Sequence, residues 1–157
     1  MTRHEIEQLL AQYRAGIEAE LVLLRQLASL AERQKASTES RNFEQLSAES
    51  DERDRVTRSL VALEDGLGDV RHRLATVKAQ AAMLPAYDVI VEMRRQAAEL
   101  VSSVLSVDQE SLKCLADAEM ARRAAMASLE KGETTLAAYR KVLTPPVEHA
   151  ALVDRRG

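Results

Sequence analysis

The sequence predicts an all-α fold, an elongated antiparallel three-helix coiled-coil bundle with helices over about residues 4–36, 42–84 and 88–143. Apolar residues recur at spacings of three and four, most regularly from Val56 to Leu84, and this is the pattern of helices that press on other helices. Aromatic residues make up only 3% of the 157 residues and Trp is absent, so the core is one of Leu, Val, Ala and Met. The breaks between periodic segments are short, which makes neighbouring helices antiparallel.

The first helix is predicted over residues 4–36, where apolar residues follow a period close to 3.6 and no Pro interrupts. Gly16 lies inside it and costs about 1 kcal/mol of helix propensity relative to Ala. The periodicity stops between Lys35 and Arg41, a stretch rich in side chains that bond the backbone locally, so a turn is predicted there. Asn42 is then predicted to cap the next helix, with Gln45 completing a capping box.

The second helix is predicted over residues 42–84. Its heptad seam consists of Val56, Leu60, Leu63, Leu67, Val70, Leu74, Val77, Ala81 and Leu84. Gly66 and Gly68 lie inside this seam, but the spacing keeps its phase across them, so the helix is predicted to continue. Pro85 is predicted to end it, because Pro lacks an amide proton and pushes the preceding residue out of helical geometry.

Polar side chains fill the heptad positions that precede this seam, among them Ser50 and Arg53. The favoured interpretation is a charged, weakly packed helical stretch. The alternative is a polar patch that faces a partner.

The third helix is predicted over residues 88–143, with Asp88 as its N-cap and Thr144 followed by two Pro residues as its end. A second apolar line is predicted to widen its buried face: Val101, Leu105, Leu112 and Leu115. Gly132 marks a possible break, although a continuous helix is favoured. Residues 1–143 are accordingly predicted to form a single helical domain, and residues 144–157 a short flexible tail.

Composition and motifs argue against several functions. A net charge of -3 gives no field that would attract nucleic acid or an anionic membrane, and no apolar run reaches the length of a membrane span. The three His residues are far apart and the single Cys114 permits no internal disulfide, so neither a metal site nor a cofactor is expected. A slim bundle with an apolar seam offers no pocket for catalysis, and the protein is predicted to be a cytoplasmic non-enzyme.

Helix lengths predict where a partner binds. At 1.5 Å per residue the three helices measure about 50, 65 and 84 Å, so the end of the third should extend past the others. An apolar stripe without an internal partner is expected to be covered by another molecule. The predicted partner-binding residues there are Leu129, Leu136, Tyr139, Val142 and Leu143.

The chain as a whole resembles the FlgN-type flagellar export chaperones and the related small FliT-like flagellar proteins. Four places carry the resemblance. They are the Leu-rich residues 21–28 (LVLLRQLA); residues 42–46 (NFEQL) followed by 60–64 (LVALE); residues 104–110 (VLSVDQE); and residues 129–133 (LEKGE) with 136–139 (LAAY) and the ending 152–157 (LVDRRG).

The resemblance implies a cytosolic chaperone that binds the C-terminal helical segments of hook-filament junction (hook-associated) proteins and delivers them to the flagellar type III export gate. It implies a monomer or weak homodimer, and it matches Tyr139 to a tyrosine that takes part in docking at the gate. Local packing of Tyr139 is the alternative. The competing function is that of a structural coiled-coil protein whose seams drive self-assembly into an oligomer.

Overall fold

The computed structural model describes the backbone of residues 1–143 and the side chains of residues 1–132. It contains four helices, α1 (Arg3–Glu39), α2 (Phe43–Thr76), α3 (Lys78–Ala81) and α4 (Pro85–Leu143), and no strand within the described residues. The predicted all-α class is confirmed, but with four helices where three were expected. The chain divides into two compact units, Met1–Cys114 and Leu115–Gly157. The predicted tail, residues 144–157, lies outside the described residues.

Helix α1 is longer than predicted. It begins with a capping box between Thr2 and Glu5 and continues to Glu39, three residues beyond the expected end. The Thr38 hydroxyl donates to the Gln34 carbonyl oxygen within the helix, at 2.7 Å, and the Ser37 hydroxyl bonds to α2, so these polar residues extend the helix instead of breaking it. The turn follows immediately and contains Arg41 at a φ of 57°.

The start of α2 was predicted correctly. The Asn42 side chain accepts a hydrogen bond from the Gln45 backbone N–H at 3.2 Å, which is an N-cap. The Gln45 side chain donates to Glu49 and does not return to the cap, so the predicted capping box is incomplete. The helix runs through Gly66 and Gly68 without a break, as the unchanged phase predicted.

The end of α2 was predicted wrongly. The helix stops at Thr76, a single turn of helix follows as α3, and Pro85 is the first residue of α4. Pro suits a first helical position, because its missing N–H has no partner there in any helix. Asp88 is therefore not the N-cap but a residue of the first turn, where a carboxylate interacts favourably with the helix dipole. The backbone of α4 continues through Gly132, as favoured.

The core of residues 1–114 consists of two neighbouring clusters. The first is built on Ile6, Leu10, Tyr13, Ile17, Leu21, Leu67, Ala81 and Ile90, and the second on Leu24, Leu27, Ala31, Val104 and Val107. All nine residues of the predicted seam belong to these clusters or pack against them. The inward direction of the seam is thereby confirmed, even where the helix itself is interrupted at Val77.

The contacts between α1 and α2 show that the two helices run in opposite directions. Ser37 bonds to Glu49 near one end, and Gly16 meets Leu67 towards the other. A Cβ atom on Gly16 would lie 2.3 Å from a methyl carbon of Leu67, so only glycine lets that side chain rest on the α1 backbone. Gly16 thus lowers the helix propensity of α1 but allows α1 and α2 to pack closely.

Candidate functional site

Helix α4 presents a line of large apolar side chains to solvent within residues 1–114. Leu105 and Leu112 are 58% and 66% exposed, and Val101 is 43% exposed. Steps of four and seven residues return to nearly the same side of a helix, so the three side chains share one face, which we call the α4 stripe. The prediction that this line widens the buried face is therefore wrong. Of its four members, only Leu115 is half-buried.

The buried face of the same helix is a different one. Val104 and Val107 are 8% and 9% exposed, and they pack on α1 in the second core cluster. Val104 and Leu105 are adjacent in sequence, yet one is in the core and the other in solvent. The α4 helix is thus apolar on two sides and is covered on one of them.

Charge is sparse around Val101 and Leu105 of the α4 stripe. Residues 100–109 contain a single ionisable side chain, that of Asp108, and it is bonded to Arg53. Ser102, Ser106 and Gln109 are small or uncharged and are exposed. Near Leu112 the border is charged, with Glu110 and Lys113 exposed beside it. An exposed apolar line with few charges around it is typical of a protein-binding surface.

Residues 115–143 form the remainder of α4, and their described side chains are largely exposed. From Met120 to Gly132 every residue is exposed, including Met126 and Leu129, which are 48% and 63% exposed. Leu129 is the one predicted partner-binding residue whose side chain is described. The side chains of Leu136, Tyr139, Val142 and Leu143 lie outside the described residues, although their backbone is helical.

The polar heptad positions of α2 face inward and are bonded to two other helices. The Arg53 guanidinium donates to both carboxylate oxygens of Asp108 on α4, at 2.7 and 2.6 Å, and to the Gln34 side chain on α1 at 2.8 Å. The hydrogen bond to Asp108 raises the pKa of Arg53. The favoured interpretation of a weakly packed stretch is therefore wrong for Ser50 and Arg53, which are bonded to other helices.

A second group of hydrogen bonds between polar side chains lies closer to the turn that joins α1 and α2. Glu49 is buried and accepts from the Ser37 hydroxyl at 2.9 Å and from the Gln45 amide at 3.2 Å. Ser50 accepts from the Gln34 amide at 3.0 Å. The sequence signal that could have identified these buried hydrogen bonds is the placement of Arg53 and Asp108 at core positions of two helices.

A cleft in residues 1–114 holds a group of charged side chains. One cavity of about 330 Å³ is lined by Tyr13, Ile17, Glu20, Glu64, Arg71, Arg94 and Ala97. An adjoining cavity of about 220 Å³ shares three of these residues and is otherwise mainly apolar. Arg71 donates to Glu64 at 2.8 Å, and its guanidinium carbon lies 5.9 Å from the centre of the Tyr13 ring.

Glu20 is the least solvated member of this group. Its side chain is buried, and its Oε1 atom has no hydrogen-bond donor among the described residues. Burial, together with the hydrogen bond to the Glu64 carboxyl group, raises the pKa of Glu20 to about 7. The same hydrogen bond, with a contribution from Arg71, lowers the pKa of Glu64.

Little else in the described residues suggests chemistry. They contain no group of three or more His, Cys, Asp or Glu residues that could hold a metal ion. His72 is exposed and Cys114 is half-buried. No described helix combines the length and the apolar character that crossing a membrane requires.

The fold and the α4 stripe define an all-helical protein with an uncovered apolar helix face. Comparison of the chain with protein-family models, curated proteins and solved structures finds no match.

Proposed function

We propose that this protein is a cytoplasmic chaperone that binds an amphipathic helical segment of a client protein along the α4 stripe. The observation that carries the proposal is the exposure of Val101, Leu105 and Leu112 on one face of α4. The resemblance to FlgN-type export chaperones supplies the client class, the C-terminal helical segments of hook-filament junction proteins, and the destination, a flagellar type III export gate. In this proposal the long helices form an elongated antiparallel bundle that supports the stripe.

The stripe suits a client helix for physical reasons. The three large side chains lie on one face at positions i, i+4 and i+11, and helical spacing of this kind is how the apolar face of an amphipathic helix is recognised. Fully burying one such side chain from water contributes about 1.5–3 kcal/mol to the stability of a complex. Because the three side chains are already partly buried, each contributes only part of this amount. Ordering and association offset much of that gain, so a weak, releasable complex is expected and not a permanent one.

Leu129, Leu136, Tyr139, Val142 and Leu143 are proposed as a separate contact surface for the client or the export gate. Support comes from the exposure of Leu129 and from its exposed neighbour Met126, whose flexible side chain adapts to different partners. Tyr139 is the residue that the resemblance assigns to gate docking. A Tyr139→Phe variant tests the hydroxyl, and loss of gate binding with unchanged client binding is the expected result.

The central test is a calorimetric titration of the full chain with C-terminal peptides of hook-filament junction proteins. We expect binding at micromolar concentration, about -8 kcal/mol, and its loss in the Val101→Ser/Leu105→Ser variant. Val22→Ser is a matched control, because Val22 is a valine of similar exposure (52%) on α1. Absence of binding at micromolar concentration, or equal losses in both variants, would contradict the proposal.

The competing function is self-assembly of a structural coiled coil, and the same exposed stripe supports it. Sedimentation velocity separates the two. A chaperone is expected to be a monomer or weak dimer whose association falls off on dilution, whereas a structural rod remains a tight oligomer. If the chain is a tight oligomer that Leu105→Ser dissociates, the stripe is an assembly surface.

A further inference from the structure

The carboxyl groups of Glu20 and Glu64 meet where α1 packs on α2, beside the cavity of about 330 Å³. Glu20 is only 7% exposed, and its Oε1 atom is out of contact with solvent and with any described hydrogen-bond donor. A buried carboxylate oxygen without a donor is strongly disfavoured, whereas a protonated carboxyl group supplies its own donor. The neighbouring acceptor for that donor is the Glu64 carboxylate.

The side chains around the pair come from three helices. Glu64 receives a hydrogen bond from Arg71 of α2 at 2.8 Å, while the same guanidinium lies 3.9 Å from Glu20 Oε1, beyond hydrogen-bond distance. Tyr13 of α1 lies against Arg71, and Arg94 of α4 completes the cavity wall. Arg71 thus hydrogen-bonds to Glu64, whereas its ion pair with Glu20 is longer and includes no hydrogen bond.

We propose that Glu20 and Glu64 bind one proton between them, and that release of this proton to solvent through the cavity loosens the α1–α2 contact. With the proton in place, the O–H of Glu20 donates to Glu64, and the pair carries one negative charge opposite Arg71. Without it, two negative charges face each other across the helix contact, and one of them is buried. The pair is a proton-dependent latch, independent of the proposed client binding.

The test uses the full chain labelled with ¹³C at the Glu side-chain carboxyl carbons, titrated by NMR. One carboxyl group is expected to titrate near pH 7, and this resonance should be missing in Glu20→Gln. In Glu64→Gln the midpoint should fall, because the side-chain amide of that variant can donate to ionised Glu20. Glu18→Gln is the matched control, since Glu18 is an exposed residue of α1 paired with Arg14, and it should leave the midpoint unchanged.

Two results would overturn the proposal. If every Glu of the wild-type chain titrates below pH 5.5, no proton is shared near neutrality, and this measurement needs no variant. If the midpoint in Glu64→Gln stays where it is in the wild type, burial of Glu20 alone is responsible. Amide hydrogen exchange tests the latch itself: protection of α1 around Glu20 should fall between pH 6 and pH 8 in the wild type and stay constant in Glu20→Gln.

Discussion

Arg53 on α2 and Asp108 on α4 form a bidentate pair, with two hydrogen bonds of 2.7 and 2.6 Å between one guanidinium and one carboxylate. The same guanidinium donates to Gln34 on α1, so one side chain joins three helices. Both members of the pair are about three-quarters buried. Polar bonds among otherwise apolar seams set the register of helices, because any slip leaves a charge unpaired.

The pair predicts a cost for single substitutions that a double substitution relieves. Asp108→Ala leaves the guanidinium unpaired and should lower the free energy of unfolding by about 1.5–3 kcal/mol. Arg53→Met combined with Asp108→Leu should cost less than the sum of the single changes, because both charges are removed together. Urea denaturation measures all of these values.

Glu110→Gln is the control for this experiment. Glu110 forms an ion pair with Lys35 at 2.6 Å only two residues from Asp108, but its side chain is 54% exposed. Its substitution should change stability by less than about 1 kcal/mol, since solvent screens such pairs. An Asp108→Ala effect no larger than that of Glu110→Gln would show that the buried pair does not hold the helices in register.

The glycines of the two helices should respond in opposite ways to alanine. A Cβ at Gly66 or Gly68 meets no atom within 4 Å, so each Ala substitution should stabilise the protein by roughly 0.5–1 kcal/mol through helix propensity. At Gly16 the Cβ would clash with the buried Leu67 side chain, and overpacking of this kind costs about 1–3 kcal/mol.

Thermal unfolding of the three variants measures the difference. We expect Gly16→Ala to melt below the wild type and Gly66→Ala above it. Gly16→Ala should lower the melting temperature less when it is combined with Leu67→Ala than it does alone, because the smaller side chain at position 67 removes the clash. A Gly16→Ala variant as stable as Gly66→Ala would mean that α1 and α2 are farther apart at this point than the structure shows.

The two adjacent residues Val104 and Leu105 offer a direct test of which face of α4 is buried. Val104→Ala should cost roughly 1–3 kcal/mol, because it leaves a cavity against α1. Leu105→Ala should stay within about 0.5 kcal/mol, because Leu105 is already in solvent. Chemical denaturation compares the two, and a reversed order would place the α4 stripe in the core.

Stability should depend on pH through Glu20. Its pKa is raised to about 7 in the folded chain, from an ordinary value of 4.5, so between these values the folded chain binds more protons than the unfolded one. The free energy of unfolding therefore falls as pH rises from about 4.5 to about 7. Stability curves at pH 5, 6, 7 and 8 measure the effect.

Glu20→Gln removes the titrating group while keeping its shape. Its stability should be nearly constant from pH 5 to pH 8 and should exceed that of the wild type at pH 8. The exposed Glu18→Gln variant should follow the wild-type curve. Parallel pH curves for the wild type and Glu20→Gln would assign the pH dependence to other groups.

Much of the helical framework could be predicted from local patterns. The Asn42 cap, the unbroken helix across Gly66 and Gly68, and the inward seam from Val56 all follow from interactions within a few residues of chain. The break after Thr76 could not be predicted in this way. The apolar spacing continues through Val77, Ala81 and Leu84, which stay in contact with the core even though the helix is interrupted.

The sequence by itself determined that the chain is helical and which residues from Val56 to Leu84 face the core, because hydrophobic period and capping are local properties. Only the tertiary structure decided which apolar side of α4 is covered, and that Arg53 pairs with Asp108 across 55 positions of chain. Burial depends on which surfaces distant segments cover, and a helix with two apolar sides carries no local signal of which one will be paired. The α4 stripe is the side left uncovered within residues 1–114, and the proposed function rests on it.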